Sequence, residues 1–280
     1  MADEQSPDGR RGTRPAARRV VVTALVGLVL LGAVATVITW RATGGRWLSV
    51  DTPSMGEAAP VGTLVLTRPT SLAELQVGDI ISFKPPGGGP IHTHRLVAVD
   101  GSTLRTKGDI NGAEDGVPLR EEDVLGKVVA RWWGLAWLVK ALPILAFGGL
   151  AVWLLTRWTG PRWRTPLRLV GYPLVVCVAV VVLRPLVGAT LLSTFAAVNE
   201  TRATVVSTGI LPIRVSTPDG RYADLRAGQV SDLVSTATDD RGHLPITIDA
   251  HMPLSWWVVC LLLCAVPLVL SLFVRPKVVP

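Results

Sequence analysis

Four apolar runs divide the chain. They cover 20–40, 133–156, 169–192 and 254–274, and each has the roughly 20 residues that a helix needs to cross a hydrocarbon core. The first, VVVTALVGLVLLGAVATVITW, carries no charge. It is about twice as long as the ~7–15-residue core of a cleaved export signal, and no A-x-A sequence follows it directly, so it predicts an uncleaved anchor. The second contains Lys140 and Pro143, and its start, WWGLAWLVK, suits a membrane interface. The third holds Arg184–Pro185 near its far end, where the arginine is expected to snorkel to the interface. Between the runs lie two polar segments, 41–132 and 193–253. In the first, 62–68, 79–83, 94–100, 103–108 and 124–131 are β-branched, partly alternating and punctuated by Gly, Pro and Asp, which predicts a small, strongly bent antiparallel β-fold. In the second, RATVVSTG, ILPIRVST and LPITIDA read as strands, with a turn at PDG, 218–220.

Composition agrees with a membrane protein. Hydrophobic residues make up 49% of the 280, charged residues 18%, and the mean hydropathy is +0.43, more apolar than a soluble domain of this size. The net charge of +7 comes without a basic face interleaved with aromatics, which disfavours nucleic acid as a partner. Instead the basic residues flank the apolar runs: Arg10, Arg11, Arg14, Arg18 and Arg19 before the first, Arg157, Arg162, Arg164 and Arg168 between the second and third, Arg275 and Lys277 after the fourth. With four spans all three groups fall on one side, which the positive-inside rule makes the cytoplasm. The expected map is a cytoplasmic Arg-rich tail 1–19, a basic cytoplasmic loop 157–168, a cytoplasmic tail 275–280, and two β-rich extracytoplasmic domains, 41–132 and 193–253, on a multi-pass protein of the plasma membrane. Cys177, Cys260 and Cys264 all fall in the apolar runs and read as small buried residues; no Cys/His spacing for zinc is present, and no cofactor or metal is expected.

Chemistry concentrates in 41–132. Ser54 stands in DTPSMGEAAPVGTLVL, His92 and His94 in IHTHRLV, Asp109 in TKGDING and Asp115 in AEDG. A serine hydroxyl needs an adjacent base to become a nucleophile, and the base needs an acceptor to orient it. All three types occur here within about sixty residues, a weak signal by itself. His92 and His94, two apart on a strand, share a face, so both can approach one site. Asp109 also suits the closing of a Gly-Asp turn. Lys107 and Arg95 are expected to be structural or surface groups.

The order and wording of the boxes say more. Ser54–Met55, Gly62–Thr63–Leu64–Val65, Val77–Gly78–Asp79–Ile80–Ile81–Ser82–Phe83, His94–Arg95–Leu96, Thr106–Lys107–Gly108–Asp109–Ile110–Asn111, Asp115 and Val124–Leu125–Gly126–Lys127–Val128 follow one another over about 80 residues. Together they resemble the type I signal peptidases of the archaeal, endoplasmic-reticulum and Gram-positive sporulation kind, over about 20–132. The resemblance implies a membrane serine endopeptidase that removes signal peptides from exported proteins. Ser54 would attack the scissile carbonyl, with its own backbone N–H as an oxyanion donor. His94, completed by Arg95, would act as general base where the other bacterial branch uses lysine. Asp115 would orient the histidine and Asp109 support the site, the family leaving open which Asp does which. Implied partners are signal peptides, the lipid bilayer and the protein-export machinery. The sequence departs from the family at Thr52–Pro53–Ser54–Met55–Gly56–Glu57, where the proline two after the methionine is missing, and at Gly62–Thr63, where Gly-Asp is usual. These departures, with the unmatched segment 193–253, leave an alternative: a non-enzymatic or narrow-specificity membrane module that binds or processes exported matrix or pilin-like subunits. His243 and His251 in that segment read as surface or structural groups.

Overall fold

The computed structural model describes residues 14–196, 200–237, 244–258, 261, 262 and 265. The chain is β-rich, with three helices long and apolar enough to cross a membrane among the described residues. The first, α1 (Arg14–Ala42), begins inside the Arg-rich stretch expected to be tail and belongs to a unit of its own that ends at Arg46. The fourth expected span falls largely outside the described residues, of which 254–258, 261, 262 and 265 are helical.

Helices α2 (Leu135–Trp158) and α3 (Pro161–Leu183) form a hairpin. Small residues let them approach closely: a Cβ on Gly148 would lie 2.5 Å from Val175, and one on Gly171 would lie 2.9 Å from Val152. Two expectations are corrected here. The basic loop 157–168 shrinks to a turn at 159–160, because Pro161 is pre-set for the first turn of a helix. The arginines serve the turn: Arg164 donates to the carbonyl oxygens of Thr159 and Arg157, and Arg168 to the Thr156 hydroxyl, occupying acceptors that a helix end leaves open. The third span does not run to 192. Pro185 disfavours helical backbone at Arg184, which adopts φ 48°, and α3 stops. Residues beyond it turn into strand β7 (Ala189–Ala196).

The first polar segment is a six-stranded sheet: β1 (Arg46–Ser49), β2 (Leu64–Arg68), β3 (Ile80–Phe83), β4 (His92–Asp100), β5 (Thr103–Lys107) and β6 (Val124–Trp132), in the order β1-β2-β6-β3-β4-β5. Alternation sorts its side chains onto two cores. Ile81 and Phe83 join Leu75, Leu96, Leu104 and Leu119. Ile80, the next residue in register, faces the other core, of Val50, Met55, Ala59 and Val65. The sheet is tied to the start of α2 by the Ala136 N–H, which donates to Gly62 O at 3.1 Å, and by the Lys140 ammonium, 2.6 Å from Asp51. Lys140 thus reaches out of the apolar helix to a carboxylate close in sequence to Ser54.

The second polar segment adds β8 (Thr201–Ser207), β9 (Ile213–Ser216), β10 (Tyr222–Leu225), β11 (Val230–Ser235) and β12 (Thr247–Ala250) to β7. They form two three-stranded sheets, β11-β8-β7 and β10-β9-β12. Val205 and Leu233 from one sheet meet Ile213, Val215 and Leu225 from the other, the face-to-face packing of a small sandwich. His251 lies 3.2 Å from Arg214, whose guanidinium forks onto Asp224; His243 lies outside the described residues.

Leu104 is fully buried, so Leu104→Ala is expected to lower the stability of the six-stranded domain by about 3 kcal/mol. Urea titration of the full chain in detergent checks this; an unchanged midpoint would contradict the core assignment.

Candidate active site

Ser54 sits on the 3-10 turn Pro53–Ala58 between β1 and β2. Such turns hold themselves weakly, and this one is held by its surroundings. Met55 is completely buried and inserts into the Val50–Val65 core, which swings its neighbour Ser54 to the half-buried surface. From another side the Ile110 N–H donates to Ser54 O at 3.0 Å. That approach requires Gly108, where a Cβ would lie 2.8 Å from Ser54 O.

His94 comes from β4 and is only 6% exposed. Its Nε2 lies 3.0 Å from the Ser54 hydroxyl, and its Nδ1 lies 2.6 Å from Asp115 Oδ2. The same Asp115 oxygen accepts from the Thr106 hydroxyl at 2.6 Å. The Asp115 N–H donates to Thr106 O at 2.8 Å, so the end of β5 holds both carboxylate and backbone of the aspartate. Serine, histidine and aspartate therefore stand in one hydrogen-bonded line, the geometry in which a base activates a hydroxyl and an acceptor orients the base.

Asp109 is placed differently. Both its oxygens accept from Arg95, at 2.8 and 2.7 Å, and Arg95 also donates to Gly78 O. This forked pair ties the loop after β5 to β4 one residue beyond His94. Asp109 lies within the site's framework but outside the Ser54–His94–Asp115 line. The hydrogen bond with Asp109 holds the Arg95 pKa above its usual value, against a smaller opposing effect of burial.

His92 shares the face of His94, as strand parity requires, with ring centres 5.6 Å apart. Phe83 stacks on His92 and meets His94 edge-on, each with centroids 5.8 Å apart. Burial first, and then the neighbouring His94, push the His92 pKa below its ordinary value, against a smaller opposing pull from Asp115. Thr106 and Thr52 carry no role in the sequence reading. Thr106 opens the T-K-G-D box, and Thr52 stands two residues before Ser54, its hydroxyl 3.4 Å from the Ser54 Oγ. A hydroxyl two residues from a nucleophile is too common a feature to single out from sequence.

No family model matches the chain. The chain is similar to Signal peptidase I W of Bacillus subtilis (strain 168), with 32% identity over 117 residues, 38% of this chain and 58% of that protein. It thus spans little more than half the length of this relative. The likeness to this signal peptidase I is partial. Together with the apolar helices it points to association with a membrane.

The folded state disfavours protonated His92, so the unfolded chain binds more protons between the folded-state pKa and the ordinary value of about 6.5. The stability contributed by neutral His92 is full above about pH 6.5 and is lost as pH falls from there toward the folded-state pKa. His92→Gln should therefore flatten the decline in thermal midpoint between about pH 7.5 and 5. An equally steep decline in the variant would remove His92 from that role.

Proposed function

We propose that this chain is a membrane-bound serine endopeptidase of the Ser-His branch of type I signal peptidases, which cleaves signal peptides from exported pre-proteins. The observation that carries the reading is the line from Ser54 through His94 to Asp115, 3.0 and 2.6 Å long in its two steps, on a chain with a signal peptidase relative. In this reading the Ser54 hydroxyl attacks the scissile carbonyl carbon and passes its proton to His94 Nε2. Asp115 holds the imidazole with Nε2 toward the serine and stabilises the imidazolium. The imidazolium returns the proton to the leaving amine, and water, activated by the same base, then hydrolyses the acyl-serine. The Ser54 N–H donates to the oxyanion. The Thr52 hydroxyl is a suitable second donor, since it already lies beside the nucleophile. Asp109 supports the site by holding Arg95 and the 108–111 turn.

The proposed substrate is an extended segment with small side chains before the bond, bound by strand addition with pockets for alternate residues. The nucleophile lies about a dozen residues along the chain from the end of α1, suiting it to bonds that emerge close to a bilayer. The two polar segments are proposed to face outward and the basic turn and tails inward, on a multi-pass plasma-membrane protein, with the export machinery as a further partner. One observation favours a second, narrower reading within the same chemistry. The β7–β12 module lines both clefts beside the Pro53–Ala58 turn, which would restrict the substrate range to a few matrix or pilin-like subunits.

Wild type in liposomes should cleave a precursor bearing an A-x-A site, whereas Ser54→Ala and His94→Ala should each lose about 10⁴-fold or more in kcat. A Ser54→Ala variant as active as wild type would end the protease reading. Cleavage of one exported subunit but not of general precursors would favour the narrower range. Thr52→Val should lower kcat by about 10²-fold with KM little changed; an unchanged kcat would remove Thr52 from the oxyanion site.

A further inference from the structure

The β7–β12 module touches the turn that carries Ser54, and the contact is made by backbone. Gly228, in the turn between β10 and β11, has φ +79°, and a Cβ there would lie 2.4 Å from Gly56 O, 2.6 Å from Gly56 C and 2.9 Å from Glu57 N. Gly56, two residues after Ser54, has φ +52°, and a Cβ on it would lie 2.5 Å from Ile110 and 3.4 Å from Gly228 O. The two glycine backbones are thus face to face with no room for a side chain on either, and Ile110 closes the other side of Gly56.

The turn bearing Gly228 is itself well held. The Gly228 N–H donates to Ser207 O at 2.8 Å, and the Ser207 N–H donates to Gln229 O at 3.0 Å. The Gln229 side chain accepts from the Arg226 N–H at 2.9 Å. These bonds fasten the turn to β8, which reaches into the sandwich core through Val205. Two clefts are lined by residues next to the contact. One, of about 690 Å³, runs past Glu57, Arg131, Trp133 and Arg226; the other, of about 640 Å³, runs past Met55, Ile110 and Asp224. Glu57, Ala58 and Gln229 line both clefts, and Gly228 lines the second.

We propose that the β7–β12 module is a working part of the active site, with Gly228 as a positioning residue that clamps Gly56 and so fixes the Ser54–Met55–Gly56 turn. This rests on the reading of Ser54 as nucleophile. A 3-10 turn has few bonds of its own. Met55 and Ala59 hold the two sides of the turn in the core and Ile110 holds the carbonyl of Ser54, while the Gly56–Glu57 backbone between them is backed by Gly228. Release of that support would let the serine drift from His94, and displacements of about 1 Å can cost about 10²-fold in rate.

The test compares Gly228→Ala with Gly220→Ala in the full chain. Gly220 lies in the same module with φ +83°, and nothing is within 4 Å of a Cβ there. Both variants therefore carry the same backbone strain, but only Gly228→Ala presses on Gly56. Two readouts are taken, kcat and KM for precursor cleavage and hydrogen exchange of the 53–58 segment by mass spectrometry. Gly228→Ala is expected to speed exchange of 53–58 and lower kcat by about tenfold or more with KM within about twofold, while Gly220→Ala matches wild type in both. Gln229→Ala, which loosens the turn without adding an atom, should shift both readouts the same way to a smaller extent, and it decides the matter if Gly228→Ala does not fold. Equal exchange of 53–58 in all folded variants would overturn the proposal. If wild type cleaves nothing, the protease reading fails, and the exchange comparison still decides whether Gly228 clamps the turn.

Discussion

The backbone of the short segment around Ser54 has to be held from outside, because two 3-10 turns kinked at Gly56 make too few bonds to hold themselves. Met55 supplies the main hold. Its side chain is fully buried among Val50, Ala59 and Val65, and alternation along so tight a turn then leaves Ser54 facing the site. Everything else at the site is arranged around that anchored turn: the Ile110 amide on the Ser54 carbonyl, His94 on its hydroxyl, and the Gly228 backbone against Gly56.

The polar line behind Ser54 follows from strand geometry. His94, Leu96 and, on the neighbouring strand, Leu104 all turn inward, so the histidine is carried into the edge of an apolar core and shielded from water. A buried imidazole needs partners at both nitrogens, and it has Ser54 on one and Asp115 on the other. Asp115 in turn is kept in place by Thr106 through side chain and backbone. The two aspartates of this region are separated by their cations and donors: Asp109 goes to Arg95, an arginine whose pair is forked, and Asp115 to the histidine.

The sheet also has a fixed relation to the helix hairpin. Asp51 pairs with Lys140, and Gly62 accepts from Ala136, so both ends of the segment carrying Ser54 are joined to the first turns of α2. In the proposed membrane setting, that junction would set the height of the hydroxyl above the lipid.

The sequence by itself determined the local elements and the candidates for the site. Period-two alternation with Gly and Pro punctuation marked β2 through β6 to within a residue or two, and the ordered boxes singled out Ser54, His94, Asp115 and Asp109. It could also show that His92 and His94 share a face, since that depends only on the pleat. What only the tertiary structure decided was partnership. Asp109 and Asp115 are alike in sequence, and the choice between them depends on Thr106 holding Asp115 beside His94 and on Arg95 taking Asp109. The third apolar run reads as one span because Val and Leu suit helix and strand alike; Arg184 in left-handed backbone before Pro185 breaks it, and β8 recruits the remainder as β7. The contact between Gly56 and Gly228 joins residues far apart in the chain through backbone alone. No side chain announces such a contact, so no pattern in the sequence could have carried it.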